Sequence, residues 1–162
     1  TRLALAKLDE TRGMIDKALD DYRDVARLSS SLAEPYFRMG EIYMRRGQID
    51  EAIEAYRVCG MKNPRYPKLP LRTGDAFYRK GLVEMALRAY EAAAAADEKD
   101  VESRLRIANT HHALGQYCEA KDALEAARDL ETDARRRESI LELIKKVAPD
   151  CEKQVKTRAH RR

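Results

Sequence analysis

Few residues in this chain are of kinds that do chemistry, and their spacing argues against catalysis. The histidines are His111, His112 and His160. Neighbours on a helix point about 100° apart, so His111 and His112 do not chelate a metal jointly as residues four apart can. Cys59, Cys118 and Cys151 form no closely spaced pair and are odd in number, which argues against a disulfide framework and fits a reducing compartment. No Gly-rich phosphate loop, zinc-ligand cluster or Ser/His/Asp set is visible. No catalytic residue, metal ligand or cofactor is expected.

What does recur at a fixed spacing is a pair of recognition residues. Phe37-Arg38, Leu71-Arg72 and Leu105-Arg106 follow one another at a step of 34 residues. Arginine forks beside an apolar strip suit an extended peptide that carries carboxylates or phosphates together with hydrophobic side chains. A plainer reading stands beside it. Arg38 lies three residues before Glu41, and Arg72 three before Asp75, a spacing that gives weak ion pairs on one helix surface. Arg106 faces the neutral Asn109 and is expected to be the free member.

The elements that position these residues repeat with them. Gly13, Gly47, Gly81 and Gly115 form one column; Ala18, Ala52, Ala86 and Ala120 form a second. Tyr22, Tyr56 and Tyr90 form a third, which Leu124 continues as an apolar substitute. A period of this length marks a helix-turn-helix array. Residues 33–66 are the best copy: Pro35 opens the first helix, Gly47 turns the chain, and Pro64 stops the second helix. Gly40 and Ala52 read as contact points that keep two helices close. Residues 1–32 form a copy truncated at its start, and residues 67–100 and 101–134 form two more. In residues 135–149, Ile140, Leu141, Leu143, Ile144 and Val147 make one apolar stripe, as a helix covering the end of an array requires. Pro149 is expected to end that helix, leaving residues 150–162 as a flexible basic tail.

Charge separates array from tail. From residue 131 onward there are ten Lys/Arg and six Asp/Glu, which accounts for the whole net charge of +4. The array itself is therefore no polyanion-binding body. Lys153, Lys156, Arg158, Arg161 and Arg162 could give a non-specific phosphate contact or a localisation signal, or be simply solvated. No aromatic interleaves them, so stacking on bases is not expected. No apolar run approaches the length of a membrane span. The chain begins without Met and inside a helical pattern, as a piece of a longer protein would. The compartment reads as intracellular, with cytoplasm and nucleus unresolved.

In the best copy, Tyr36, Met39-Gly40, Tyr43, Gly47, Ala52, Tyr56, Cys59 and Pro64 fall in an order that resembles the tetratricopeptide (TPR) repeat. Departures are Asp9 and His111 at the first-helix aromatic place, Thr73 for Leu, and Ser30, Glu98 and Thr132 for Pro. The resemblance implies an all-α solenoid, a right-handed superhelix of antiparallel helix pairs, acting as a scaffold without chemistry of its own. It also implies that the first helices line a concave peptide groove, through the second, fifth, sixth, ninth, twelfth and thirteenth places of each repeat. Those places put Glu34, Phe37, Arg38, Glu41, Met44 and Arg45 in the groove from residues 33–66. Residues 67–100 add Lys68, Leu71, Arg72, Asp75, Tyr78 and Arg79, and residues 101–134 add Glu102, Leu105, Arg106, Asn109, His112 and Ala113. One subclass grips chaperone C-terminal tails with a clamp of Lys and Asn, then Asn, then Lys and Arg. Lys68 and Arg72 match its last pair, but Arg38, Leu3 and Lys7 stand at the earlier places, so such tails are not the expected partner. The partner expected is a protein or peptide, acidic with apolar anchors. The alternatives are assembly or self-association as a section of a longer superhelix, and nucleic-acid contact through the basic tail.

Overall fold

The computed structural model describes residues 1–159, and every regular element among them is an α-helix. The chain divides into two compact units, Thr1–Lys80 and Gly81–Arg162. Among the described residues no helix is long and apolar enough to cross a membrane.

The first unit contains α1 (Arg2–Thr11), α2 (Ile15–Leu28), α3 (Glu34–Arg46), α4 (Ile49–Lys62) and α5 (Leu69–Arg79). Local chemistry sets the ends of α3 and α4. Pro35 occupies the first turn of α3, where its missing N–H costs no bond. Gly47 closes the helix at φ 74°, a left-handed conformation that a Cβ would strain, and Gln48 N–H then reaches Tyr43 O at 2.9 Å. Asn63 is extended, as a residue before proline must be, and α4 stops there. Pro70 falls in the first turn of α5 and Lys68, at φ 60°, is its N-cap.

Small and aromatic residues share the packing of this unit. Ala18 and Ala52 are fully buried, and the rings of Tyr22 and Tyr56 lie at 0% and 1% exposure. Gly40 on α3 makes room for Tyr56 on α4: a Cβ there would stand 2.7 Å from Tyr56 Cδ1 and 2.9 Å from its Cζ. Asp9 replaces an aromatic in α1 and is nevertheless 1% exposed, its carboxylate 2.9 Å from Lys17 Nζ. A buried carboxylate needs such a partner.

The second unit contains α6 (Val83–Ala96), α7 (Val101–Ala113), α8 (Tyr117–Leu130) and α9 (Ala134–Ala159). Asp100 caps α7 by accepting from the backbone N–H of Glu102 and Ser103. Ile140, Ile144 and Val147 on α9 pack with Ala120, Leu124 and Ala127 on α8 in one core. Burial of each Ile, Leu or Val side chain there is worth about 1.5–3 kcal/mol. Leu143, expected on the same stripe, is 41% exposed at its edge. The corner between α8 and α9 is polar and tied. Arg137 donates to Glu131 O at 2.6 Å, and Arg136 lies 3.0 Å from the Glu131 carboxylate, whose residue is 4% exposed.

Two sequence expectations are corrected here. Helix α9 continues through Pro149 to Ala159 instead of ending at the proline, so residues 150–159 are not a frayed tail. Pro149 is exposed, so water can satisfy the carbonyl that it leaves unbonded. Beyond it, α9 is held on the start of α8: Gln154 Nε2 donates to Gly115 O at 2.9 Å, and Cys151 is disulfide-bonded to Cys118. That bond overturns the reading of three unpaired thiols and removes the argument for a reducing compartment. Cys118 and Cys151 are 33 residues apart in sequence but become neighbours because α9 folds back along α8. Cys59 is the free cysteine and is buried. The expectation for His160, Arg161 and Arg162 lies outside the described residues.

Two outcomes follow from this packing. Gly40→Ala should lower the unfolding free energy in urea by about 1–3 kcal/mol, because overpacking against a fully buried ring outweighs the roughly 1 kcal/mol gained in helix propensity. An unchanged or raised midpoint would mean that the Tyr56 ring can move aside. Reduction, or Cys151→Ser, should cost about 2–4 kcal/mol and strip amide-exchange protection first from α9 beyond Pro149. Uniform loss of protection along α9 would contradict this attachment.

Candidate functional site

Most of the groove residues read from the sequence lie on α3 and α5 of the first unit, and the structure ties their charges to one another. Tyr56 OH donates to Glu41 Oε1 at 2.6 Å, and Arg72 Nε lies 3.5 Å from the same oxygen. Arg72 also meets Asp75 at 3.2 Å, the pair that the spacing anticipated. A similar relay sits one step earlier. Tyr22 OH donates to Glu10 Oε2 at 2.7 Å, and Arg45 Nη2 reaches Glu10 Oε1 at 2.5 Å. Arg79 Nη1 donates to the carbonyl of Met44 at 2.7 Å. Arg38 pairs with Glu34 at 3.8 Å, not with Glu41 three residues on; Lys7 meets the same Glu34 oxygen at 2.6 Å.

These residues border two open clefts. One of about 300 Å³ lies among Lys7, Glu10, Thr11, Arg38 and Arg45. The other, of about 240 Å³, brings together Glu41, Met44, Arg45, Arg72, Asp75 and Arg79 over the edge of Tyr56. The apolar members expected beside the arginines are less open. Phe37 is half-buried, its ring 4.8 Å from that of Tyr66 and 5.8 Å from that of Tyr56. Leu71 is only 3% exposed and offers no surface, a correction to its place on the contact line. Tyr78 is 40% exposed. Lys68 is exposed but precedes α5, so it does not stand on the face of that helix.

In the second unit, Arg106 is not the free arginine that its neighbour Asn109 implied: its Nη2 lies 3.4 Å from Glu102 one turn earlier. Leu105 packs half-buried against the α7–α8–α9 core. Asn109 and His112 are exposed and border a cavity of about 200 Å³ shared with α8 and α9. Its walls are Ala108, Ala120, Leu124 and Val147, all buried, and its mouth is Leu143, Lys146, Asn109 and His112. His112 meets Tyr117 edge-on at 5.4 Å. His111, at the first-helix aromatic place, is half-buried with Nδ1 2.6 Å from Gln116 Oε1. Of the basic segment, Lys153 pairs with Asp150 at 3.3 Å. No group of three His, Cys, Asp or Glu among the described residues could hold a metal ion.

The Tyr–carboxylate–Arg relays were invisible in the sequence for a geometric reason. Glu10 precedes Tyr22 by 12 residues and Glu41 precedes Tyr56 by 15, so the carboxylates do not share the 34-residue period. The signal present was chemical. A tyrosine at a buried column position needs an acceptor for its hydroxyl.

Residues 33–66 match a family model described as tetratricopeptide repeat, and residues 101–132 match a second model of that description. The chain thus carries tetratricopeptide repeats and has an all-α solenoid fold. Its fold is similar to that of MamA (41-end) from Desulfovibrio magneticus RS-1, with a TM-score of 0.76 at 19% identity over 94% of either chain. It is also similar to YrrB, "a TPR protein with an unusual peptide-binding site", with a TM-score of 0.75 at 20% identity over 92% of this chain and 84% of that one. The first TPR of Spaghetti (RPAP3), bound to the HSP90 peptide SRMEEVD, gives 0.66 at 23% identity over 74% of this chain and 93% of that one. No curated protein matches the chain in sequence.

Burial raises four groups of the first unit above their ordinary range, the Tyr66 phenol among them. Desolvation, then the bonds to Glu41 and Glu10, push the phenols of Tyr56 and Tyr22 well up. Burial likewise pushes the Cys59 thiol up to about 11. In the unfolded chain these groups ionise at ordinary values, about 8.5 for a thiol and about 10 for a phenol. Above those values the unfolded state holds fewer protons than the folded one, so stability falls as pH rises. Urea titrations should therefore show an unfolding free energy that declines from about pH 8.5, and more steeply above about pH 10. Cys59→Ala should flatten the part between about 8.5 and 10, whatever its effect on the baseline. A flat profile to about pH 11 would mean that these groups are solvated.

Proposed function

We propose that this chain is a protein-interaction module whose first unit takes a peptide or partner helix on the face made by α3 and α5. The observation that carries the reading is the cleft of about 240 Å³ where Arg45, Arg72 and Arg79 converge with Glu41, Asp75 and Met44. Such a surface recognises by exchange. An incoming carboxylate meets Arg45 or Arg79 without stripping Arg72 from its two acidic partners, while Met44 adapts to an apolar side chain. Peptide binding by YrrB and by the first TPR of Spaghetti (RPAP3) supports the same use of this fold.

The electrostatics set the kind of ligand. Glu41 and Asp75 line the cleft together with the arginines, so a strongly acidic peptide gains less here than on a bare cationic groove. A segment with one or two carboxylates and an apolar anchor fits better than a polyanion. The test is affinity capture from lysate with the intact chain beside Arg45→Gln/Arg79→Gln, after circular dichroism shows equal helicity. Partners of the α3–α5 face should be depleted about fivefold or more, the weight of one or two charge-assisted contacts. If every partner is retained, the face is not the site.

A further inference from the structure

The cavity of the second unit differs in kind from the two clefts of the first. Those are lined by carboxylates already paired with arginines, whereas no carboxylate lines this one. The difference traces to three replacements at the array's period. Gly40 is answered by Ala108, Glu41 by Asn109 and Tyr56 by Leu124. At Gly40 the Tyr56 ring lies where a Cβ would stand, whereas Ala108 keeps its Cβ and packs with the smaller Leu124. Without the hydroxyl no acceptor is required, and Asn109 is neutral. A hollow of about 200 Å³ is left where the ring's bulk would lie, lined by Leu124 and closed on one side by α9.

Its size and polarity define an occupant. An apolar cavity of about 150 Å³ can hold a benzene ring, so this one accommodates a single large apolar side chain. The mouth carries donors: the Asn109 amide, the His112 ring and the Lys146 ammonium. Glu142 and Asp150, four residues to either side of Lys146 on the same helix, pair with Lys145 at 2.7 Å and with Lys153 at 3.3 Å. Lys146 influences Glu142 through space but closes no ion pair among the described residues. An apolar well with cationic and donor groups at its rim matches an apolar side chain that has a carboxylate beside it.

We infer that this α7–α8–α9 cavity is a second binding site, which takes one leucine-like or aromatic side chain of an acidic peptide segment and seats the neighbouring carboxylate against Lys146. The inference rests on the interaction-module reading only in that the ligand is a peptide; it is independent of the arginine cleft.

The test is a methyl NMR titration of the intact 162-residue chain with the blocked dipeptide acetyl-Leu-Asp-amide. Saturable shifts are expected at the methyls of Leu124, Leu143 and Val147. Acetyl-Leu-Lys-amide and acetyl-Ser-Asp-amide, which lack the charge or the anchor, should bind at least about fivefold more weakly. Lys146→Glu, an exposed change, should weaken the first ligand by about fivefold or more. Asn109→Trp, which obstructs the mouth from an exposed position, should abolish the shifts. Equal binding of the three dipeptides, or shifts that never saturate, would overturn the site. Tighter binding of octanoate than of the dipeptide would overturn the peptide assignment in favour of a lipid-like ligand. Arg45→Gln/Arg79→Gln should leave this titration unchanged, so failure of the first-unit cleft and failure of this cavity are told apart.

Discussion

The hydroxyl of a buried tyrosine governs the chemistry of the first unit. The Tyr56 ring fills the notch at Gly40 and is almost wholly excluded from water, so its O–H must find an acceptor inside the fold. Glu41 supplies it, and a carboxylate that is itself partly desolvated then needs a cation, which Arg72 provides. Tyr22, Glu10 and Arg45 solve the same problem with the same three groups. Packing therefore dictates electrostatics. Arg45 and Arg72 are first of all counter-ions to the carboxylates that hold the tyrosines.

This constraint explains why the cavity beside Leu124 differs from the clefts of the first unit. Where tyrosine stands, the face is a lattice of compensated charge, and a ligand must compete or fit between ion pairs. Where Leu124 stands, the requirement for an acceptor lapses, Asn109 carries no charge, and an apolar hollow remains. One change of core residue thus alters the polarity of a neighbouring surface through the chain of partners that it no longer needs.

The fold was legible because its signals are local and periodic. Gly47 and Gly115, at φ 74° and 69°, end first helices where only glycine is comfortable, and the buried Ala and Tyr columns report helix contacts. The site was legible only in outline. The sequence placed Arg38, Arg72 and Arg106 at equivalent positions, yet it could not rank their acidic neighbours. Arg38 took Glu34 in place of Glu41, and Arg106 found Glu102. Leu71 shows the same limit, since a groove position by count is a buried position by packing. The end of α9 and the cysteine pair were hidden for a single reason. Proline disfavours a helix locally, but Gln154 and the Cys118–Cys151 bond oppose that preference through contacts with α8.

That attachment also bears on recognition. Val147 forms a wall of the second-unit cavity, and Leu143 part of its mouth, from the middle of α9. On one side of them the helix is fixed at the corner where Arg136 and Arg137 grip Glu131; on the other it is fixed to α8 by Cys151 and Gln154. A wall held at both ends does not have to be ordered when a side chain enters. The ordering cost that limits most peptide contacts is then met during folding instead of on binding. A helix whose sequence reads as a cover for exposed apolar surface is, by its double attachment, also built to keep a small cavity open.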